Sequence, residues 1–550
     1  MYHEWQGMTL NKTLDYSCKM WGDREAIVSG DLRLSYLAFQ RQVFQLTKAL
    51  KDLGVKKGDR VAYLVGVVPE WTTLYFAVMR LGGIIVPLNL MWTGREIVQG
   101  LELTDTNVLV MTDTFRNSNL VDFLTNELPE LAGANRESLN LKRLPHLRSI
   151  ITLSKAQKEY NFSYDFSRLM AAGASYRTAE IEELSQEVGP DDECLYLLTS
   201  GTTSFPKPAI HTHQTLLFGM AGYADGIEAR ETDKMLIIAP NYHVAGILTL
   251  GMPLIRGAAV HLIEFYEPAK AMSIIEQEGI TIMFGFDVHY LMMKRHPHYG
   301  MYNISSLQRT MIGSNPGSYE NIKAMGISHQ GNIYGFTEYV ASQAYLPYRD
   351  RFDEQRMKYS HGRPMFGTEF KVVDPETGVT LGPNEGGELC VKGPALFKGY
   401  YKLPKETAEC MDNEGFFHSG DFGWLDEQGY VYYRGRIKDT IKSGGENVSA
   451  REVEVFLEAE TPWVQTAQVF GLPDPKWGEA VTAMVELKPG EQVTEDELRE
   501  FCKGKLAGYK IPKRFVFVSA SDWLVTPTGK FNKVAMRQKL LDALQKDDAD

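Results

Sequence analysis

An α/β architecture is predicted: a large N-terminal region of helix-covered, mainly parallel sheets, then an antiparallel β subdomain, then a small α+β C-terminal domain. Three observations predict it. Short apolar runs alternate with amphipathic stretches from Ala26 to Phe284, Gly-punctuated strand-like sequence takes over after about Gly367, and two capped helix starts follow Arg436. At 550 residues the chain also exceeds what one hydrophobic core usually supports, so at least two domains are expected.

Along the chain, the run Val61-Ala62-Tyr63-Leu64-Val65 reads as a buried strand and Tyr36 to Leu53 as an amphipathic helix. Cys194–Leu198, Met235–Ala239, Val260–Ile263 and Ile280–Phe284 read as further strands, spaced widely enough for crossover helices. After Gly367, Gly387–Val391 and Tyr430–Tyr433 suggest hairpins. Ser449 with Glu452 and Thr494 with Glu497 each spell a capping box, so a compact C-terminal domain of about a hundred residues is expected, within the usual domain size range.

Composition narrows the function. Apolar residues make up 44% and charged residues 23%, which is ordinary globular usage and excludes a disordered chain. A net charge of −12 argues against nucleic acid as the main partner, since phosphate backbones need a basic surface. The five cysteines are far apart and form no C-x-x-C pair, so neither a disulfide framework nor a zinc site is indicated, and a reducing compartment fits. The first twelve residues lack a signal-peptide pattern, and no stretch reaches the ~18 apolar residues of a membrane span. A cytoplasmic protein with no integral membrane part is expected.

The strongest local signal is Thr199-Ser200-Gly201-Thr202-Thr203-Ser204-Phe205-Pro206-Lys207-Pro208, between a strand and a helix-like stretch starting at Thr212. A Walker loop needs Gly, Lys and then Ser or Thr at its last three places, and Pro206-Lys207-Pro208 fails at two of them. Hydroxyl donors around Gly201, with the charge of Lys207, suit the β- and γ-phosphates of ATP; taken alone, the segment is also an ordinary polar turn.

Five further motifs follow in order: Pro240-Asn241-Tyr242-His243, Tyr334-Gly335-Phe336-Thr337-Glu338, Ser419-Gly420-Asp421, Gly435-Arg436-Ile437-Lys438-Asp439 with Lys442-Ser443-Gly444-Gly445-Glu446-Asn447, and Pro527-Thr528-Gly529-Lys530. With these the chain resembles, over nearly its whole length, the adenylate-forming superfamily of acyl-CoA synthetases, luciferases and peptide-synthetase adenylation domains. The acyl-CoA synthetases are the nearest in kind.

The resemblance implies ATP, Mg²⁺ and coenzyme A, with an acyl-adenylate as intermediate. ATP or AMP would meet Thr199, Ser200, Gly201, Thr202, Thr203, Ser204 and Lys207, the adenine-side loop Gly313-Ser314-Asn315, and Tyr334, Gly335, Phe336 and Thr337. Asp421 would hold the ribose hydroxyls with Arg436 beside it. Glu338 and Thr202 would face the metal, which suits a hard cation that prefers oxygen. Lys530 would bridge the attacking carboxylate and the α-phosphate; Thr337, Glu338 and His243 complete the catalytic set, with His243 positioning the acid.

Further implied are a lid, residues 440–550, turning on a hinge at 436–439 around Lys438, and a main domain over 1–435 with its antiparallel subdomain at about 367–435. Turning would present Lys442, Ser443, Gly444 and Gly445 to CoA, glycine permitting close backbone approach. The acyl pocket would be lined near Tyr242, His243, Gly246, Phe284 and Gly285; these stretches carry Asp287 and Glu338 but no Lys or Arg, which favours a neutral-tailed monocarboxylate. Ser204 and Pro208 stand where the family usually has Gly, and Pro-Thr-Gly-Lys replaces the commoner Ser-Gly-Lys. Delivery to a carrier-protein thiol, or a non-catalytic acyl-adenylate sensor, are the competing readings, and a homodimer is compatible with all of them.

Overall fold

The computed structural model describes residues 4–199, 206–313, 316–437, 441–443, 446–525 and 531–547. Within these, two large sheets form the N-terminal part. One has the order Pro208–Thr212, Glu193–Leu198, Ile84–Pro87, Arg60–Leu64, Val108–Thr112, Ser149–Leu153 and Tyr164–Asp165, parallel except for its first pair. The other runs Arg363–Pro364, Tyr339–Tyr345, His329–Phe336, Arg309–Gly313, Ile282–Phe284, Lys234–Ile237, Ala259–Leu262, Glu25–Ser29 and Leu32–Ser35, with parallel pairs in the middle and antiparallel pairs at both ends.

The helices form for the expected reason. In Tyr36–Asp52, Tyr36, Phe39, Val43, Leu46 and Leu50 recur at three- and four-residue spacing and are buried, while Ser35 caps the start by accepting from Ala38 N at 3.2 Å. One continuous apolar core joins both sheets through such helices.

A four-stranded antiparallel sheet follows, Glu369–Val373, Gly387–Lys392, Phe417–Leu425 and Val431–Arg436, each strand paired with the next in sequence. The C-terminal sheet joins Glu446–Val448, Ile441–Ser443, Gly478–Leu487 and Val464–Asp474, with Arg514–Phe517 parallel to Gly478–Leu487. It packs helices Ala450–Glu460 and Glu495–Cys502 over a core of its own.

The helix expected from Thr212 is present as His213–Gly226, with Thr212 as its cap, and the segment before it, Pro208–Thr212, is a strand antiparallel to Glu193–Leu198. One sequence expectation needs correction. Ser449 caps its helix by accepting from Glu452 N at 3.2 Å, but the return half of the box is replaced by a Glu452–Lys510 ion pair at 2.6 Å. The Thr494–Glu497 box is complete. All five cysteines are free, and no described helix is long and apolar enough to cross a membrane.

Candidate active site

The carboxyl ends of the parallel strands Ile282–Phe284, Arg309–Gly313 and Lys234–Ile237 open on one side of the nine-stranded sheet, where ligands of open α/β sheets bind. A cavity of about 920 Å³ lies there. Its walls include Val244, Ala245, Phe284, Met311, Ile333, Tyr334 and Gly335 from the N-terminal part, Asp421, Tyr433 and Arg436 from the four-stranded sheet, and Glu454, Glu486, Trp523 and Lys533 from beyond.

On its wall is a polar network built by the strand register. Asp421 and Arg436 are direct cross-strand partners, and Arg436 Nε lies 2.8 Å from Asp421 Oδ1. The Tyr334 hydroxyl donates to Asp421 Oδ2 at 2.8 Å, while its ring stacks on Tyr433 with centroids 5.3 Å apart. Burial pushes the Asp421 carboxyl up to about 6, against the pull of Arg436 and the Tyr334 donor. His361, edge-on to both tyrosines, accepts from Tyr433 N through Nδ1; burial holds its pKa well below the usual imidazole range, so the ring stays neutral.

A second cluster forms around Tyr400. Its hydroxyl donates to Glu338 Oε1 at 2.6 Å, and Lys207 Nζ lies 5.1 Å from the centre of its ring. Burial and the neighbouring carboxylate keep this phenol protonated. The base of the phosphate loop is closed by Thr199 N to Lys207 O at 3.0 Å and Lys207 N to Thr199 Oγ1 at 3.2 Å. His211 Nε2 contacts Thr337 O at 2.9 Å, and Glu338 O accepts from Phe397 N at 2.8 Å, fixing the turn that carries Thr337 and Glu338. Phe336 packs on Phe417, centroids 5.0 Å apart.

The Pro240–His243 motif works partly as a staple. Asn241 Nδ2 donates to Val65 O at 2.9 Å and Gly66 O at 3.1 Å, and Tyr63 donates to Asn241 O at 2.6 Å, which ties this loop to the other sheet. His243 is the cap residue of helix Val244–Leu254, its ring 4.8 Å from that of Tyr242. Tyr242 does not line the cavity but is buried in the core of the seven-stranded sheet; Gly246 and Gly285 are buried away from the wall, and Val244, Ala245, Phe284 and Phe286 supply it instead. A Cβ on Gly246 would sit 2.3 Å from Pro240 O, so glycine there serves the tight helix start.

Gly313 ends its strand. Ser443 is buried at the end of strand Ile441–Ser443, which includes Lys442 and pairs with Glu446–Val448. Ser200, Gly201, Thr202, Thr203, Ser204, Ser314, Asn315, Lys438, Gly444, Gly445 and Lys530 lie outside the described residues. The flanks of Lys530 are described: Val525 and Phe531 form a bridge and both line the cavity, Phe531 packs on Trp523 at 5.1 Å, and Lys533 pairs with buried Glu454 at 2.5 Å. Sequence reasoning missed Tyr400, Tyr433, His361 and Asn241 as site-building residues. Only Asn241 carried a local signal, its place in the four-residue run Pro240-Asn241-Tyr242-His243.

Comparison with known proteins agrees with this geometry. The chain matches the AMP-binding enzyme family over residues 14–401 and the AMP-binding enzyme C-terminal domain over 452–530. It is 31% identical to a feruloyl-CoA synthase of Amycolatopsis sp, covering 94% of this chain and 95% of the relative. It is 29% identical to the mitochondrial medium-chain acyl-CoA ligase ACSF2 of Danio rerio, covering 98% and 89%. The crystal structure of ATP-bound MatB from Rhodopseudomonas palustris superposes with a TM-score of 0.80 at 25% identity, over 97% of this chain and 99% of that one. Helix-covered parallel sheets, a tyrosine–aspartate–arginine network at their carboxyl ends and family likeness along both parts of the chain make it a member of the AMP-binding enzyme family, the adenylate-forming superfamily, in which it is most like the acyl-CoA synthetases.

Proposed function

We propose that this chain is an ATP-dependent, AMP-forming carboxylic acid–CoA ligase that works through an acyl-adenylate. The observation that carries the reading is the Tyr334–Asp421–Arg436 network in a cavity that the flanks of Lys530 also line. Asp421 accepts from the ribose hydroxyls, the aromatic pair Tyr334 and Tyr433 faces the base, and Lys207 meets the outer phosphates. Tyr400 occupies Glu338 Oε1 and leaves Oε2 for a hard cation, so the residues present fit Mg²⁺, which would neutralise phosphate charge when bound. Lys530 draws the acid carboxylate and the α-phosphate together.

The acid enters the arm walled by Val244, Ala245, Leu248, Phe284, Met311 and Ile333. The N-terminus of helix Val244–Leu254, with His243 as its cap, favours the carboxylate end. An apolar arm suits a neutral-tailed monocarboxylate: medium-chain, branched, alicyclic or aromatic. For the second step we assign 1–435 to the main domain, 436–439 to the hinge and 440–550 to a lid whose Lys442–Gly445 segment meets CoA.

The test is AMP release from ATP and Mg²⁺ with a panel of acids, with and without CoA. Acid-dependent exchange of pyrophosphate into ATP, followed by CoA-dependent AMP release, is expected. Release indifferent to CoA would move the reading to a carrier-protein acceptor, and no exchange with any acid would leave a sensor.

A further inference from the structure

Ser419, Gly420 and Asp421 interrupt the ladder between strands Gly387–Lys392 and Phe417–Leu425. Cys390 pairs with His418 and Glu388 with Phe422, so three residues on one strand stand against Leu389 alone on the other. The ladder therefore offers no partner for Gly420 N, which takes up φ +68° where a side chain would be strained.

Glu388 supplies what the bulge lacks. Its Oε1 accepts from Gly420 N at 2.8 Å and its Oε2 lies 2.8 Å from His418 Nδ1, so one carboxylate clamps the bulge at its apex and at its entry. Ser419 completes the frame, donating to Leu389 O at 2.5 Å and accepting from Asp421 N at 3.0 Å. Sγ of Cys390 lies 3.5 Å from His418 Nδ1, and Glu388, Cys390 and His418 are close enough together to surround a metal ion. Yet each Glu388 oxygen already has a protein donor, which makes the trio a brace.

We propose that Glu388 is a positioning residue for nucleotide recognition: it holds the bulge that aims Asp421 at the ribose, and so sets how strongly the protein distinguishes the sugar hydroxyls. This rests on the proposed role of Asp421.

The experiment compares KM for ATP and for 3′-deoxy-ATP in acid-dependent pyrophosphate exchange, and the affinities of AMP and 3′-deoxy-AMP by calorimetry, in Glu388→Ala, Glu388→Gln and the parent. A hydrogen bond to a charged group is worth roughly tenfold in binding, so Glu388→Ala is expected to erase about fivefold or more of the preference for the 3′-hydroxyl. ATP turnover at saturation should stay within about twofold, since the chemistry at phosphorus is untouched. Glu388→Gln keeps an acceptor for Gly420 N and is expected to fall between the two. An unchanged preference in either folded variant, or a loss of turnover at constant KM, overturns the proposal. If Glu388→Ala shows no cooperative melt, the preference of Glu388→Gln decides. Failure of the ligase reading looks different: the parent then shows no exchange with any acid, while the calorimetric comparison still reports on Glu388.

Discussion

Replacing Tyr334 by Phe keeps the ring on Tyr433 and deletes the hydroxyl that donates to Asp421 at 2.8 Å. That donor favours the ionised carboxylate, which burial has already raised to about 6. A hydrogen bond to a charged group contributes about 1.5–3 kcal/mol and one pKa unit corresponds to about 1.4, so the carboxyl should move up by roughly one to two units. Protonated Asp421 donates where the ribose needs an acceptor, so nucleotide affinity falls as pH drops through its pKa. Tyr334→Phe should therefore shift the acid limb of kcat/KM for ATP from near pH 6 toward 7–8 and raise KM at pH 7 by about two- to tenfold, with the gap closing by pH 9. Pyrophosphate exchange measured from pH 5 to 9 reads this directly, with Asp421→Asn as the control that should have no such limb. If the limb stays put, or KM rises equally at every pH, the hydroxyl does not govern Asp421.

Other outcomes follow from the same geometry. The folded chain prefers Asp421 neutral, raising it from 3.8 to about 6, so this stabilising contribution is complete below pH 3.8 and is lost as pH rises through 6. Asp421→Asn should thus raise the stability of the unliganded protein by up to ~3 kcal/mol at pH 7.5 and change little at pH 4, as thermal melts at both values will report. Asn241→Ala strands two buried carbonyls, Val65 O and Gly66 O, and should cost about 2–4 kcal/mol in urea unfolding. Lys530→Ala should abolish acid-dependent exchange while sparing thioester formation from preformed acyl-adenylate; equal loss in both assays would remove the lysine from the first step.

What the sequence revealed follows physical distance along the chain. Tyr334, Asp421 and Arg436 were legible because each sits in a contiguous run whose residue types answer one chemical need. The register that joins the last two, and the 87-residue gap that the Tyr334–Asp421 bond spans, were not. Tyr400 is silent in sequence for the same reason, since its claim on Glu338 crosses 62 residues. Pro208–Thr212 carries little strand signal in the sequence, because an opening proline demotes a strand pattern; in the fold the segment pairs with Glu193–Leu198 on one side and contacts Lys398–Tyr401 on the other. The capping box at Ser449 was half right because local pattern cannot foresee that Lys510 competes for Glu452.

The cavity has walls from residues on both sides of the proposed hinge, and this bears on how two reactions share it. Arg295 closes on Glu486 at 2.5 Å, and the same carboxylate accepts from Trp523 Nε1 at 2.7 Å, so one buried anion joins the N-terminal part to the segment leading into Lys530. Removing a single partner from such a pair leaves a buried charge without compensation, so the contact resists drift but can be exchanged whole for water when the two parts separate. That asymmetry suits the proposed ligase cycle, in which the cleft would be closed for attack at phosphorus and then opened to a thiol. The nucleotide network depends on the proposed hinge only through Arg436, its first residue, because Tyr334, Asp421 and Glu388 all come from residues before it. The proposed ligase would thus hold AMP with residues up to the start of the hinge and change what it presents with the residues beyond it.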